Sequence, residues 1–98
     1  MAKATENAVD FANKLNIKFT SARQILAVKA GRKYDKIVWT DHDGRPSSVF
    51  AFVERNTGDL YKAGGYNVPA KHARYSGNEL LTVAVENADE YGRFLYRK

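Results

Sequence analysis

With 98 residues, 44% of them apolar, and five Phe, six Tyr and one Trp, the chain has the size of one small domain around one modest core. It has no cysteine, which excludes a disulfide framework, thiolate zinc sites and cysteine nucleophiles, and leaves packing to supply stability. Sixteen Lys and Arg against eleven Asp and Glu give a net charge of +5, a tilt towards anionic partners that is also ordinary for small soluble domains.

The N-terminal Met-Ala-Lys-Ala-Thr-Glu-Asn lacks the apolar core of a secretory signal, and no run approaches the roughly 18 apolar residues of a membrane span. The expectation is a soluble intracellular protein with no membrane partner. Thr5 is placed to cap a helix starting near Glu6, with Ala8, Val9, Phe11, Ala12 and Leu15 largely on one face. After Asn16, the alternation of Ile17 and Phe19 with Lys18 and Thr20 reads as a short extended piece. Residues 21–30 satisfy both strand and helix templates through Ile25, Leu26 and Val28, and a strand ending before Gly31 is favoured.

Residues 35–40 and 47–54 are rich in β-branched and aromatic side chains, and the intervening His42-Asp43-Gly44-Arg45-Pro46 carries strong turn signals. An antiparallel hairpin follows. Asn56-Thr57-Gly58-Asp59 marks a second turn, and residues 60–63 return as a third strand of a meander. In the middle strand, strict alternation sends Phe50 and Phe52 one way and Val49, Ala51 and Val53 the other. Both faces are then apolar, either as core or as an aromatic platform. Gly64, Gly65 and Pro69 suggest irregular chain, Asn78 a cap for a helix over residues 79–87, and Phe94-Leu95-Tyr96 a last short strand. The fold class expected is α+β: one domain over residues 1–98, with a three- or four-stranded antiparallel sheet, an N-terminal helix and a C-terminal helix.

The segments Gly31-Arg32-Lys33-Tyr34-Asp35-Lys36-Ile37-Val38, Ser48-Val49-Phe50-Ala51-Phe52-Val53, Thr57-Gly58-Asp59-Leu60-Tyr61-Lys62-Ala63, Pro69-Ala70-Lys71-His72-Ala73-Arg74 and Tyr91-Gly92-Arg93-Phe94-Leu95-Tyr96 resemble a group of small uncharacterised proteins of tailed bacteriophages. The resemblance spans about two thirds of the chain. It implies a viral protein acting in the cytoplasm of an infected bacterium, and it carries no assigned activity or catalytic residues. Where such proteins have a tryptophan before the Pro-Ala-Lys segment, this chain has Tyr66, Asn67 and Val68.

Asp41-His42-Asp43 is the one place where carboxylates and an imidazole adjoin, and a polar hairpin turn explains it better than a metal site. Ser47, Ser48 and His72 lack the nucleophile-elbow pattern. Gly64-Gly65, flanked by Lys62 and Lys71, lacks the P-loop and dinucleotide fingerprints. No catalytic, metal or cofactor motif results.

The strongest functional signal is the interleaving of cations and rings. Between Lys18 and Lys36 lie Lys18, Arg23, Lys29, Arg32, Lys33 and Lys36 against Asp35 alone, and between Tyr61 and Tyr75 lie Lys62, Lys71 and Arg74 against no acid. Arg32, Lys33 and Lys36 surround Tyr34, while Lys71, His72 and Arg74 adjoin Tyr75. This pattern offers charges for phosphates and rings for bases. A non-enzymatic nucleic-acid-binding protein using Arg32, Lys33, Tyr34, Lys36, Lys62, Lys71, Arg74 and Tyr75 is the leading expectation. The alternative is an adaptor or inhibitor that binds a host or viral protein, or a second copy of itself, through the apolar stripe of the N-terminal helix.

Overall fold

In the computed structural model, residues 4–19, 24–41, 43–65, 68–89 and 95 are described. Helix α1 (Glu6–Lys18) precedes five strands, β1 (Ile25–Lys29), β2 (Tyr34–Thr40), β3 (Pro46–Glu54), β4 (Leu60–Ala63) and β5 (Pro69–Tyr75). A 3-10 turn (Gly77–Glu79) and a short helix, α2 (Val83–Asn87), follow. Every neighbouring pair in the sheet is antiparallel, and the strand order β1-β2-β3-β4-β5 is the expected meander. Among the described residues, no helix is long and apolar enough to cross a membrane.

The sheet has five strands, more than the three or four expected. The added strand β5 escaped notice because Pro69 cannot donate to a ladder and because Lys71, His72 and Ala73 are all exposed, so an edge strand shows no apolar alternation. The extended piece expected at residues 17–20 is instead, over residues 17–19, the end of α1 and its C-cap, and Thr20 lies outside the described residues. Ile17 is helical, and the Phe19 N–H closes the helix by donating to Leu15 O at 2.8 Å. The C-terminal helix expected over residues 79–87 is divided. Glu79 closes the 3-10 turn by accepting from the Ser76 N–H at 3.0 Å, and the α-helix begins only at Val83. Ser76, not Asn78, precedes the first of these turns. The last strand expected at 94–96 lies outside the described residues except for Leu95, which is buried.

The apolar stripe of α1 is consumed by the core. Ala8, Phe11, Ala12 and Leu15 are buried against Leu26, Ile37, Ala51, Val53 and Leu60, with Tyr75, Leu80, Ala84, Ala88 and Leu95 completing the same cluster. Burying a side chain such as Phe11 contributes roughly 1.5–3 kcal/mol. Lys18 ties the two helices together, its ammonium donating to Val85 O and Glu86 O at 2.7 Å each. Those carbonyls belong to the last turn of α2, where a cation complements the helix dipole.

The two faces of the sheet are sorted by register. Asp35 stands opposite Val53 and Ile37 opposite Ala51, on the face that packs under α1. Lys36 stands opposite Phe52, and Phe52 opposite Tyr61, on the other face. The register shifts between Ile37 and Val38, so that Ala51 and Val49 are successive partners and Phe50 is the extra residue of a bulge. That bulge overturns the strict alternation expected along β3. Phe50 turns into the core, where it meets Phe19 and Trp39 with ring centroids 6.4 and 5.7 Å away, whereas Phe52 lies on the opposite face. The aromatic residues are thus divided between the two faces of the sheet.

Candidate nucleic-acid interface

The face away from α1 carries a second group of rings. Tyr34 meets Phe52 and Tyr61 edge to face, with centroids 6.2 and 5.4 Å apart and interplanar angles of 84° and 83°. Phe52 is only 3% exposed and forms a floor; Tyr34 and Tyr61 are half-buried. The Tyr61 hydroxyl donates to Glu54 Oε1 at 3.2 Å. Burial raises the Tyr61 phenol to about 12, with the Glu54 carboxylate adding to the rise.

The β1–β2 hairpin brings the cations to these rings. Lys29 pairs with Lys36 across the two strands, which sets their side chains side by side on the face of Phe52. The connection through Gly31 is tight: a Cβ at that position would come within 2.4 Å of the Tyr34 carbonyl oxygen, so only glycine fits without moving the turn. The result is an open pocket of about 430 Å3 in which Lys29, Arg32, Lys33 and Lys36 surround Tyr34 and Phe52. The Lys33 ammonium stands 5.5 Å from the centre of the Tyr34 ring, within cation–π range.

The one acid in this basic stretch faces the other way. Asp35 is fully buried beneath the sheet, where Oδ2 accepts from the Thr5 N–H at 2.8 Å and the Thr5 hydroxyl at 2.7 Å, and Oδ1 pairs with the Arg55 guanidinium at 2.5 Å. Its charge is answered within the core and is turned away from the pocket. Thr5 does stand at the N-cap of α1, but its side chain spends its hydrogen bond on Asp35 and does not cap the helix.

Of the residues singled out in the sequence, Arg32, Lys33, Tyr34 and Lys36 converge, and Lys62, Lys71, Arg74 and Tyr75 do not join them. Lys62 stands opposite Ala51, on the α1 side of the sheet by register. Lys71 is exposed on β5, three strands from β2, or roughly 14 Å at the usual strand spacing. The Arg74 guanidinium donates to Leu95 O at 2.8 Å and His72 O at 2.7 Å, and Tyr75 is buried in the core. Lys29 and Phe52, which sequence reasoning left out, complete the site. The signal that would have found Lys29 is the short connection to β2, which fixes its register opposite Lys36.

The remaining sequence candidates among the described residues lie apart from this pocket. Asp41 Oδ1 accepts from the Asp43 and Arg45 N–H groups at 3.0 and 3.1 Å, an Asx turn completed by Gly44 at φ 81°. His42 lies outside the described residues. The Gly64 and Gly65 N–H groups both donate to Val68 O, at 2.8 and 3.0 Å, which takes up the amides that a phosphate cradle would use. Ser47, at the start of β3, donates to Trp39 O at 3.3 Å and accepts from Gln24 at 2.8 Å, while His72 is exposed on β5.

Over residues 1–97 the chain matches a protein family described as a family of unknown function (DUF7717). The chain belongs to that family. Membership extends over nearly the whole domain, including every strand and both helices. No curated protein and no solved structure matches the chain.

Proposed function

We propose that this member of DUF7717 is a non-enzymatic phage accessory protein that binds nucleic acid through the basic face of its β1–β2 hairpin, in the cytoplasm of the infected bacterium. The phage setting rests on the sequence resemblance. The binding role rests on one observation: Lys29, Arg32, Lys33 and Lys36 share a single pocket with Tyr34 and Phe52, while Asp35 is neutralised on the opposite side of the sheet by Arg55. Clustered cations meet phosphates and accessible rings meet bases. Among the described residues, the pocket is lined by cations and rings and by no carboxylate, imidazole or aliphatic hydroxyl, a lining suited to attracting phosphates and stacking bases.

The test is a set of binding titrations at several salt concentrations with single-stranded and duplex DNA and RNA. Changing Lys29, Arg32, Lys33 and Lys36 to Gln should leave the circular dichroism spectrum unchanged and weaken binding, with a shallower dependence on salt. Lys71→Gln, outside the pocket, should have a much smaller effect. An absence of saturable binding to all four nucleic acids at low salt rejects the reading. A protein partner, or a second copy of the chain, is the second reading. It is favoured by Ile17 and Ile25, 74% and 61% exposed, which flank the hydrogen-bonded pair Asn16 and Leu26.

A further inference from the structure

We infer that the pocket receives one nucleotide of a single-stranded nucleic acid, with its base on the Tyr34 ring and its phosphate between Lys29 and Lys36. This rests on the nucleic-acid reading above and goes beyond it by excluding the duplex as the preferred form. Three features of the site carry it.

The first is shape. The cations surround an open recess of about 430 Å3 with an aromatic floor, room enough for one base and its phosphate. A duplex presents phosphates on its outside and keeps its bases stacked within. It could touch the lysines at the rim, but it has no ring to offer Tyr34. An unpaired strand can turn one base into the recess, as single-strand binders commonly do with aromatic side chains.

The second is the state of the Tyr34 ring. Two edge-to-face contacts, to Phe52 and Tyr61, fix its plane, and the ammonium of the exposed Lys33 stands over it at 5.5 Å. The residues on both sides of Tyr34 are held by Arg55: its N–H donates to Lys33 O at 2.8 Å and its guanidinium holds Asp35. The ring is therefore set in place before any ligand arrives, which lowers the ordering cost of stacking. A flexible lysine covers it, and an incoming base can displace that lysine and leave its ammonium for the adjoining phosphate.

The third is the pairing of Lys29 with Lys36 in the sheet register. Two cations directly opposite on neighbouring strands attract an anion placed between them from both sides. The pair lies beside Phe52, and Lys36 is two residues from Tyr34 along β2, on the same face of the sheet, so phosphate and base sites adjoin.

The experiment is fluorescence anisotropy with labelled oligo(dT) and oligo(U), each measured against its matched duplex at the same salt. Single strands are expected to bind at least several-fold tighter than duplexes. Tyr34→Leu should weaken single-strand binding roughly ten-fold or more and leave duplex binding nearly unchanged, while Tyr34→Phe should restore the affinity. Lys29→Gln with Lys36→Gln should make the single-strand salt slope shallower by about 0.7 for each phosphate contact removed. Duplex binding equal to or tighter than single-strand binding overturns the inference without need of any variant, as does a folded Tyr34→Leu protein with undiminished single-strand affinity. Both outcomes leave the broader nucleic-acid reading standing. Failure to bind any of the four ligands removes both.

Discussion

Arg55 and Asp35 form an ion pair in which the carboxylate is fully buried and the arginine side chain is 20% exposed. The pair joins the turn after β3 to the start of β2, and through Thr5 it also fixes the first turn of α1. A buried carboxylate deprived of its cation is costly, more so than the intact pair is stabilising. Arg55→Ala should therefore destabilise the fold by roughly 3 kcal/mol. A urea midpoint equal to that of wild type would show that water or another cation replaces the guanidinium.

The pH dependence at the alkaline end should bear the mark of Tyr61. An unfolded tyrosine ionises near 10, whereas the folded one is raised to about 12. Below the unfolded value both states keep the proton, and the contribution of the neutral phenol to stability is complete. Between pH 10 and 12 the unfolded chain gives up its proton and the folded chain does not, so stability falls across that window and the contribution is lost above it. The difference in tyrosinate absorbance between wild type and Tyr61→Phe should titrate with a midpoint well above 10 in the folded protein. A midpoint at the ordinary value would contradict the burial.

Two glycines offer a matched comparison. At Gly31 a new Cβ would meet the Tyr34 carbonyl oxygen at 2.4 Å, but at Gly65 it would meet nothing within 4 Å. Gly31→Ala should lower the denaturation midpoint and disturb the pocket, because backbone must move to accept it. Gly65→Ala should be neutral or stabilise by up to about 1 kcal/mol through the unfolded chain. Equal midpoints for the two variants would argue that the hairpin has slack.

Phe11 has no exposed surface, so Phe11→Asp should unfold the protein rather than release a folded monomer from some assembly. Circular dichroism and sedimentation read both outcomes. A folded, monomeric Phe11→Asp protein would mean that the helix leaves the sheet.

The parts of the fold legible in sequence are those where one physical signal acts without competition. The first helix was readable because Ala8, Phe11, Ala12 and Leu15 repeat at helical spacing, and the central hairpin because β-branched runs flank Asp43, Gly44 and Pro46. β5 was not, since exposure on an edge removes the alternation that marks a buried strand. The bulge at Phe50 was equally hidden: one additional residue reverses the direction of the side chains beyond it, and nothing in Ser48-Val49-Phe50-Ala51 announces where it falls. In the site, Arg32, Lys33, Tyr34 and Lys36 are near in sequence and stayed near in space. Lys71, Arg74 and Tyr75 were grouped with them by composition alone, and the sheet order places β5 at the opposite edge from β1.

The clasp between Asn16 and Leu26 has a consequence for the growing chain. The Asn16 amide donates to Leu26 O at 3.0 Å and accepts from the Leu26 N–H at 2.8 Å, occupying backbone groups of an edge strand much as a neighbouring strand would. Synthesis proceeds from the N-terminus, so the side chain that closes this edge leaves the ribosome ten residues ahead of the edge it closes. By the time β1 acquires its partner β2, its outer side already has an internal mate at hand. A foreign strand that adds to this edge must therefore displace the Asn16 amide from the N–H and C=O of Leu26, an internal competitor that is present from the moment the edge exists.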